Sequence, residues 1–172
     1  RGKAKTINFS LLYGISRWGL AGRLGISSDE AQDMITRYFE RFPGINRYIS
    51  QTLQSARETG LTETLFGRKT HFTRITSANQ TERAGSERAA INAPIQGGAA
   101  DIIKRAMIRI PDALKKAELS AQMLLQVHDE LVLEVPEARA AEAAALIANL
   151  MENTAELRAP LKANAAIGVN WR

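Results

Sequence analysis

Along the first fourteen residues, RGKAKTINFSLLYG, polar and aromatic positions recur in register: Arg1, Lys5, Phe9 and Tyr13 stand four residues apart. At ~3.6 residues per turn each step rotates by only about 40°, so the spacing predicts a helix with one slowly drifting stripe, roughly 18 Å long. Gly19, Gly22 and Gly25 then predict short turns rather than a long helix. Ser27 with Glu30 forms a capping-box pattern ahead of Ala31, Met34, Ile35, Tyr38 and Phe39, predicting a helix over 28–41. Phe42-Pro43-Gly44 breaks it, and Ile45, Tyr48, Ile49, Leu53 and Ala56 predict a second helix ended by Gly60, together a structural αα-hairpin. Residues 61–80 read as a small hairpin or irregular loop around Gly67-Arg68-Lys69. Helix resumes over 81–92, is expected to be interrupted by Pro94, and returns from Gln96 to Ala117 with a kink or restart at Pro111.

The period then changes. QMLLQV at 122–127 and LVLEV at 131–135 are short, apolar and bounded, the pattern of two buried strands joined through His128, Asp129 and Glu130. So short a connection implies an antiparallel hairpin with a histidine and two carboxylates at its tip. Pro136 opens an alanine-rich helix over 137–153, and Leu161–Val169 is expected to return as a strand. The sum is an α+β fold, mostly helical, with a small antiparallel sheet near the C-terminal end.

Composition narrows the class. The 172 residues are 45% hydrophobic and 24% charged, with no cysteine, which removes disulfides, thiol catalysis and cysteine-ligated zinc and fits a reducing cytosol. No run of eighteen apolar residues occurs, so no membrane partner is expected. The chain lacks an initiator Met and opens inside a helical pattern, which suggests a fragment. The whole net charge of +5 belongs to residues 1–28, where five cations meet no acid. Residues 65–116 carry ten cations against four acids, and residues 117–172 carry four against eight. Basic segments beside an acidic one suit a protein that grips a polyanion and places carboxylates elsewhere, as they also suit an ordinary solvated surface.

Three places can hold chemistry. A guanidinium, an ammonium and two rings along one helix have the order and reach of a triphosphate with its base, although an amphipathic helix with core aromatics presents the same stripe. Asp129 and Glu130 offer hard oxygen ligands to a divalent ion such as Mg²⁺, but a two-metal site needs a further carboxylate, and Asp101 reads as a local helix residue. Gln96, with Gly97 and Gly98, stands where an amide can reach a base edge in the minor groove. His71 receives no role, and zinc-protease, nucleophile-elbow and Walker motifs are absent.

RxxxKxxxFxxxYG at 1–14 resembles motif B of the family A DNA polymerases, and His128-Asp129-Glu130 between apolar strands resembles their motif C. TLFGRK at 64–69, AAINAPIQGGAAD at 89–101 and LLQVHDELVLEVP at 124–136 are similar to the same family in the same order. The resemblance implies a helical fingers subdomain over 1–92 and a partial palm over 93–172. It implies that Arg1, Lys5, Phe9 and Tyr13 bind the incoming deoxynucleotide, Arg1 and Lys5 at its phosphates, with Lys5 counted among the catalytic residues. Tyr13 would stack at the templating position, and Phe9 in place of tyrosine would discriminate against sugars lacking the 3′ hydroxyl. Asp129 and Glu130 become metal-binding catalytic carboxylates of a two-Mg²⁺ site. Arg88, Asn92, Gln96 and His128 become contacts to primer-template DNA. The implied reaction is template-directed transfer of dNTPs to a primer 3′ end, in replication or repair, in a bacterial cytoplasmic, nucleoid-associated enzyme. The family's motif A, which carries the first metal-binding Asp, precedes motif B, so these residues alone should be inactive without the upstream part of the polymerase. A palm lacking that strand would expose apolar edges and invite a non-native dimer. Two rival readings are a single-subunit RNA polymerase, disfavoured by Glu130 after His128-Asp129, and a nucleic-acid-binding module without catalysis.

Overall fold

In the computed structural model, residues 2–171 are described, with side chains over 7–171. The chain divides into two compact units, Arg1–Gly98 and Ala99–Arg172. The first holds α1 (Gly2–Leu12), α2 (Arg17–Leu24), α3 (Ser28–Arg41), α4 (Pro43–Thr59), β1 (Leu61–Glu63), β2 (Lys69–His71) and the opening turns of α5 (Gln80–Lys116). The second holds the rest of α5, β3 (Gln122–Val127), β4 (Glu130–Glu134), a 3-10 turn at Glu137–Arg139 and α6 (Ala140–Glu152). The expected α+β class is what the chain adopts, helices around two small antiparallel sheets.

Local signals set the boundaries in the first unit. The Ser27 hydroxyl accepts from the Glu30 N–H at 3.2 Å while the Glu30 carboxylate accepts from the Ser27 N–H at 3.0 Å, closing the capping box that starts α3. Pro43 opens α4 and Gly60, at φ +73°, ends it. Leu11, Leu20, Ala21 and Ala31 form one core, joined by Ile7, Ile15, Leu24, Ile26, Ile35 and Tyr38, so α1, α2 and α3 pack as one group. A second cluster, Ala56, Ile75 and Ala90 with Phe72, binds α4 and the segment after β2 to α5. In the second unit Ile110, Leu114 and Leu119 meet Ala143 and Ile147, and Leu131, Leu133 and Val135 of the hairpin lie against them.

Four expectations change. The glycine-rich stretch is a helix, α2: Ser16 caps it by accepting from the Gly19 N–H, and burial of Leu20 and Ala21 outweighs the ~1 kcal/mol that an interior glycine costs. Pro94 does not interrupt the helix and Pro111 does not restart it; both lie inside the 37-residue α5. Each removes one main-chain hydrogen bond, and the buried Ala90, Ile91, Ala106, Ile110 and Leu114 hold the helix together across the gaps. The last helix begins at Ala140 rather than 137, after the 3-10 turn. Residues 161–169 form no strand, because a strand persists only where its backbone groups find a partner, and the Ala163 N–H goes to the Glu152 carboxylate instead.

Candidate functional site

Helix α1 separates an inner from an outer face. Ser10 and Leu11 are buried, and the Arg23 guanidinium donates to the Ser10 hydroxyl at 3.1 Å, tying α2 to the inner face. On the outer face Phe9 is 48% exposed, and its ring centroid lies 6.1 Å from that of Tyr13 at a tilt of 31°. The four-residue spacing therefore sets two rings side by side and away from the core. Tyr13 stands just past the end of α1, its N–H still donating to the Phe9 carbonyl at 3.1 Å. Of the stripe's cations, Arg1 and the Lys5 side chain lie outside the described residues.

Gly14 turns the chain at φ +70°, a left-handed conformation that favours glycine. A Cβ there would stand 3.2 Å from Ile91 Cδ1 and 3.8 Å from Arg88 Cγ, so the end of α1 rests directly on α5. Arg88, Asn92 and Gln96 follow one another at four-residue intervals on α5, Arg88 and Gln96 exposed and Asn92 half-buried. The Asn92 Oδ1 is buried and accepts no hydrogen bond. Just beyond Gln96, a Cβ on Gly97 would fall 2.7 Å from Thr64 Cγ2, which shows that the β1–β2 turn is seated on α5 where only glycine fits. Thr64 is buried there and its hydroxyl accepts from the N–H groups of Phe66 and Arg68 at 3.2 and 3.1 Å. The structure thus brings Phe9 and Tyr13 together, and sets the Tyr13-Gly14 turn beside Arg88.

Sequence reasoning passed over two features. Tyr48 on α4 donates to the Ile91 carbonyl at 2.8 Å, a contact across forty-three positions that no local pattern announces. The seat at Gly97 is equally silent, since Gly97 and Gly98 read alike.

In the second unit the hairpin is tighter than expected. Val127 pairs with Glu130, so only His128 and Asp129 form the turn and Glu130 opens β4. His128 adopts φ +54° without being glycine, and its carbonyl accepts from the Gln126 side-chain amide at 2.8 Å. His128, Asp129 and Glu130 are all exposed. Because Leu131, Leu133 and Val135 face the core, the alternation of β4 puts Glu130 on the opposite face with Val132. Two neighbouring carboxylates suit Mg²⁺, which takes one or two protein oxygens and completes its shell with water and phosphate. Among the described residues no group of three His, Cys, Asp or Glu side chains gathers to hold a metal, and Asp101 is buried within α5. The donor set fits one side of a metal site.

Comparison with known proteins gives one answer throughout. A model of DNA polymerase family A matches residues 1–172. DNA polymerase I of Rhizobium leguminosarum is 49% identical over 177 residues, covering 99% of this chain and 17% of that protein. DNA polymerase I of Pseudomonas aeruginosa is 48% identical, with coverage of 99% and 19%, and the thermostable DNA polymerase I of Thermus filiformis is 47% identical, with coverage of 99% and 20%. The POL domain of Pol1 from M. smegmatis, solved in complex with DNA primer-template and dNTP, superposes with a TM-score of 0.89 at 44% identity, covering 93% of this chain and 28% of that one. The chain spans about a fifth of the length of these curated relatives.

Proposed function

The chain belongs to DNA polymerase family A, and from that premise we propose that it supplies the nucleotide-binding helix and one side of the metal site of a template-directed DNA polymerase. In this reading residues 1–92 are fingers and 93–172 part of the palm. The parent enzyme transfers dNTPs to a primer 3′ end in replication or repair, acting on the nucleoid of a bacterial cytoplasm. The observation that carries the reading is the outward pair of rings, Phe9 and Tyr13, on a helix whose opposite face is core.

Each residue then has a task set by its chemistry. Arg1 and Lys5 neutralise the triphosphate, Arg1 as a fork and Lys5 as a point charge. Phe9 packs against sugar and base, excluding water from one side of the nucleotide, and Tyr13 stacks at the templating position. Arg88 holds backbone phosphate of the primer-template, while the amides of Asn92 and Gln96 offer hydrogen bonds to the nascent duplex, those of Gln96 in its minor groove. The unpaired Asn92 Oδ1 is an acceptor that a bound duplex or a rotated neighbour would satisfy. His128 lies at the primer terminus. Asp129 and Glu130 would hold Mg²⁺, which when bound neutralises charge on the transferring phosphoryl group and its leaving group.

The reading also makes the chain incomplete by itself. Two adjacent carboxylates need a partner from the upstream part of the polymerase, and without it no extension is expected. Leu124 and Leu125, 50% and 42% exposed on β3, give the isolated chain an apolar surface that favours a non-native dimer. Primer extension tests the whole reading. The 172-residue chain with primer-template, dNTPs and Mg²⁺ should extend nothing, whereas the longer protein should extend with deoxy- in preference to ribonucleotides. Extension by the isolated chain, or preference for ribonucleotides, would overturn it.

A further inference from the structure

Helix α4 takes no part in the proposed chemistry, yet it holds α5 at the turn where that chemistry is carried. Pro94 has no N–H, so the Ala90 carbonyl lacks its main-chain partner. The next carbonyl, that of Ile91, accepts a hydrogen bond from outside the helix, from the Tyr48 hydroxyl at 2.8 Å. A helix short of one internal bond is softer locally, and here a neighbouring element adds a bond beside the gap.

Ile91 is also the residue on which α1 ends. Its Cδ1 is the atom that a Cβ on Gly14 would approach to 3.2 Å, and Ile91 itself is 3% exposed between Ala90 and Asn92. One residue therefore receives α4 through its carbonyl and α1 through its side chain, and the residue after it, Asn92, is the one that the proposed function assigns to the duplex. The ion pair of Arg57 with Glu87 at 2.6 Å also joins α4 to α5, but it is solvent-facing and contributes little. Burial raises the Tyr48 phenol above its ordinary value, only partly countered by Thr52, so the hydroxyl stays a neutral donor throughout the working pH range.

We propose that Tyr48 is a positioning residue: by holding the Ile91 carbonyl beside the gap left by Pro94, it fixes where Asn92 and the Tyr13-Gly14 turn stand for the templating base and the nascent pair. This rests on the polymerase reading and adds to it a residue that touches neither nucleotide nor DNA. Its role is in discrimination, because a misplaced templating stack admits wrong pairs more readily than it slows right ones.

Tyr48→Phe keeps the ring and removes the bond. In single-nucleotide incorporation by the longer polymerase, the ratio of correct to incorrect kcat/KM should fall about three- to tenfold, as expected for loss of one hydrogen bond. The kcat for the correct nucleotide should stay within about twofold of wild type, since no reacting group is touched. Adding Pro94→Ala, which returns an N–H to the helix, should recover most of the discrimination. An unchanged ratio in Tyr48→Phe would overturn the inference. So would a loss of discrimination that tracks loss of thermal stability and is not recovered by Pro94→Ala, since Tyr48 would then be ordinary packing. A wild-type protein that incorporates nothing overturns the polymerase reading and this inference together, whereas a working wild type with an indifferent Tyr48→Phe overturns only the inference.

Discussion

Among the turns that visit left-handed backbone, two do so for opposite reasons. At φ +70° the Tyr13-Gly14 turn uses glycine, and the missing side chain is what lets α1 close on Ile91. At φ +54° the His128-Asp129 turn uses histidine, accepting a backbone cost of about 1–2 kcal/mol that glycine would avoid. The first turn is half-buried and needs its backbone; the second is exposed, and on the proposed function it is kept for its side chains. On the proposed function, one belongs to the architecture and the other to the chemistry that the architecture presents.

Substitutions can break that comparison. The largest effect is expected from Asp129→Ala in the longer polymerase. If Asp129 holds metal as proposed, its loss should cut kcat by roughly a thousandfold or more, several kcal/mol of transition-state stabilisation. Its unfolding midpoint should barely move, because Asp129 is exposed. Normal extension by this variant would remove the turn from the chemistry. Gly14→Ala should do the reverse, costing about 2 kcal/mol or more in urea unfolding through the positive φ and the approach to Ile91. A Gly14→Ala protein as stable as wild type would mean that the first turn is not architectural.

His128→Gly sharpens the contrast at lower amplitude. Relief of strain and the greater freedom of unfolded glycine oppose each other, so stability should change by less than about 1 kcal/mol. Affinity for primer-template should fall nonetheless, measured by titration at fixed salt. Unchanged affinity would leave the histidine's strain without a purpose. The smallest effect is expected away from both turns, at Ser27→Ala. The Ser27 N–H and hydroxyl lower the Glu30 pKa below its ordinary 4.5. A carboxylate whose folded pKa is depressed stabilises the fold above its unfolded value, and that contribution is lost as pH falls through the folded value. Wild-type helicity should thus decline on acidification below pH 4.5 somewhat more steeply than that of Ser27→Ala, which loses the hydroxyl half of the cap but keeps the backbone N–H. Parallel pH profiles by circular dichroism would count against the cap.

How much of this was legible depends on range. Ser27 and Glu30 stand three residues apart and specify their helix start locally; Pro43, Gly60 and the change of period at Gln122 are equally local. Phe9 and Tyr13 come together because of their four-residue spacing and because the Tyr13 N–H still donates to the Phe9 carbonyl past the end of α1. Pro94 reads as a break because its cost is local, while the burial that outweighs it comes from elements elsewhere in the chain. Residues 161–169 carry strand-like composition, but composition names no partner strand, and Ile167 and Val169 are exposed. The depth of Asn92 and the reach of Tyr48 to Ile91 exist only once helices have packed.

Gly97 and Gly98 are identical letters side by side, yet a substitution library should treat them as different kinds of position. At Gly97 even one methyl collides with Thr64, whereas a Cβ at Gly98 meets nothing within 4 Å. Selection acting on such a pair would hold the first still and let the second drift. A run of two glycines here encodes one constraint, and the neighbour that imposes it lies thirty-three residues earlier in the chain.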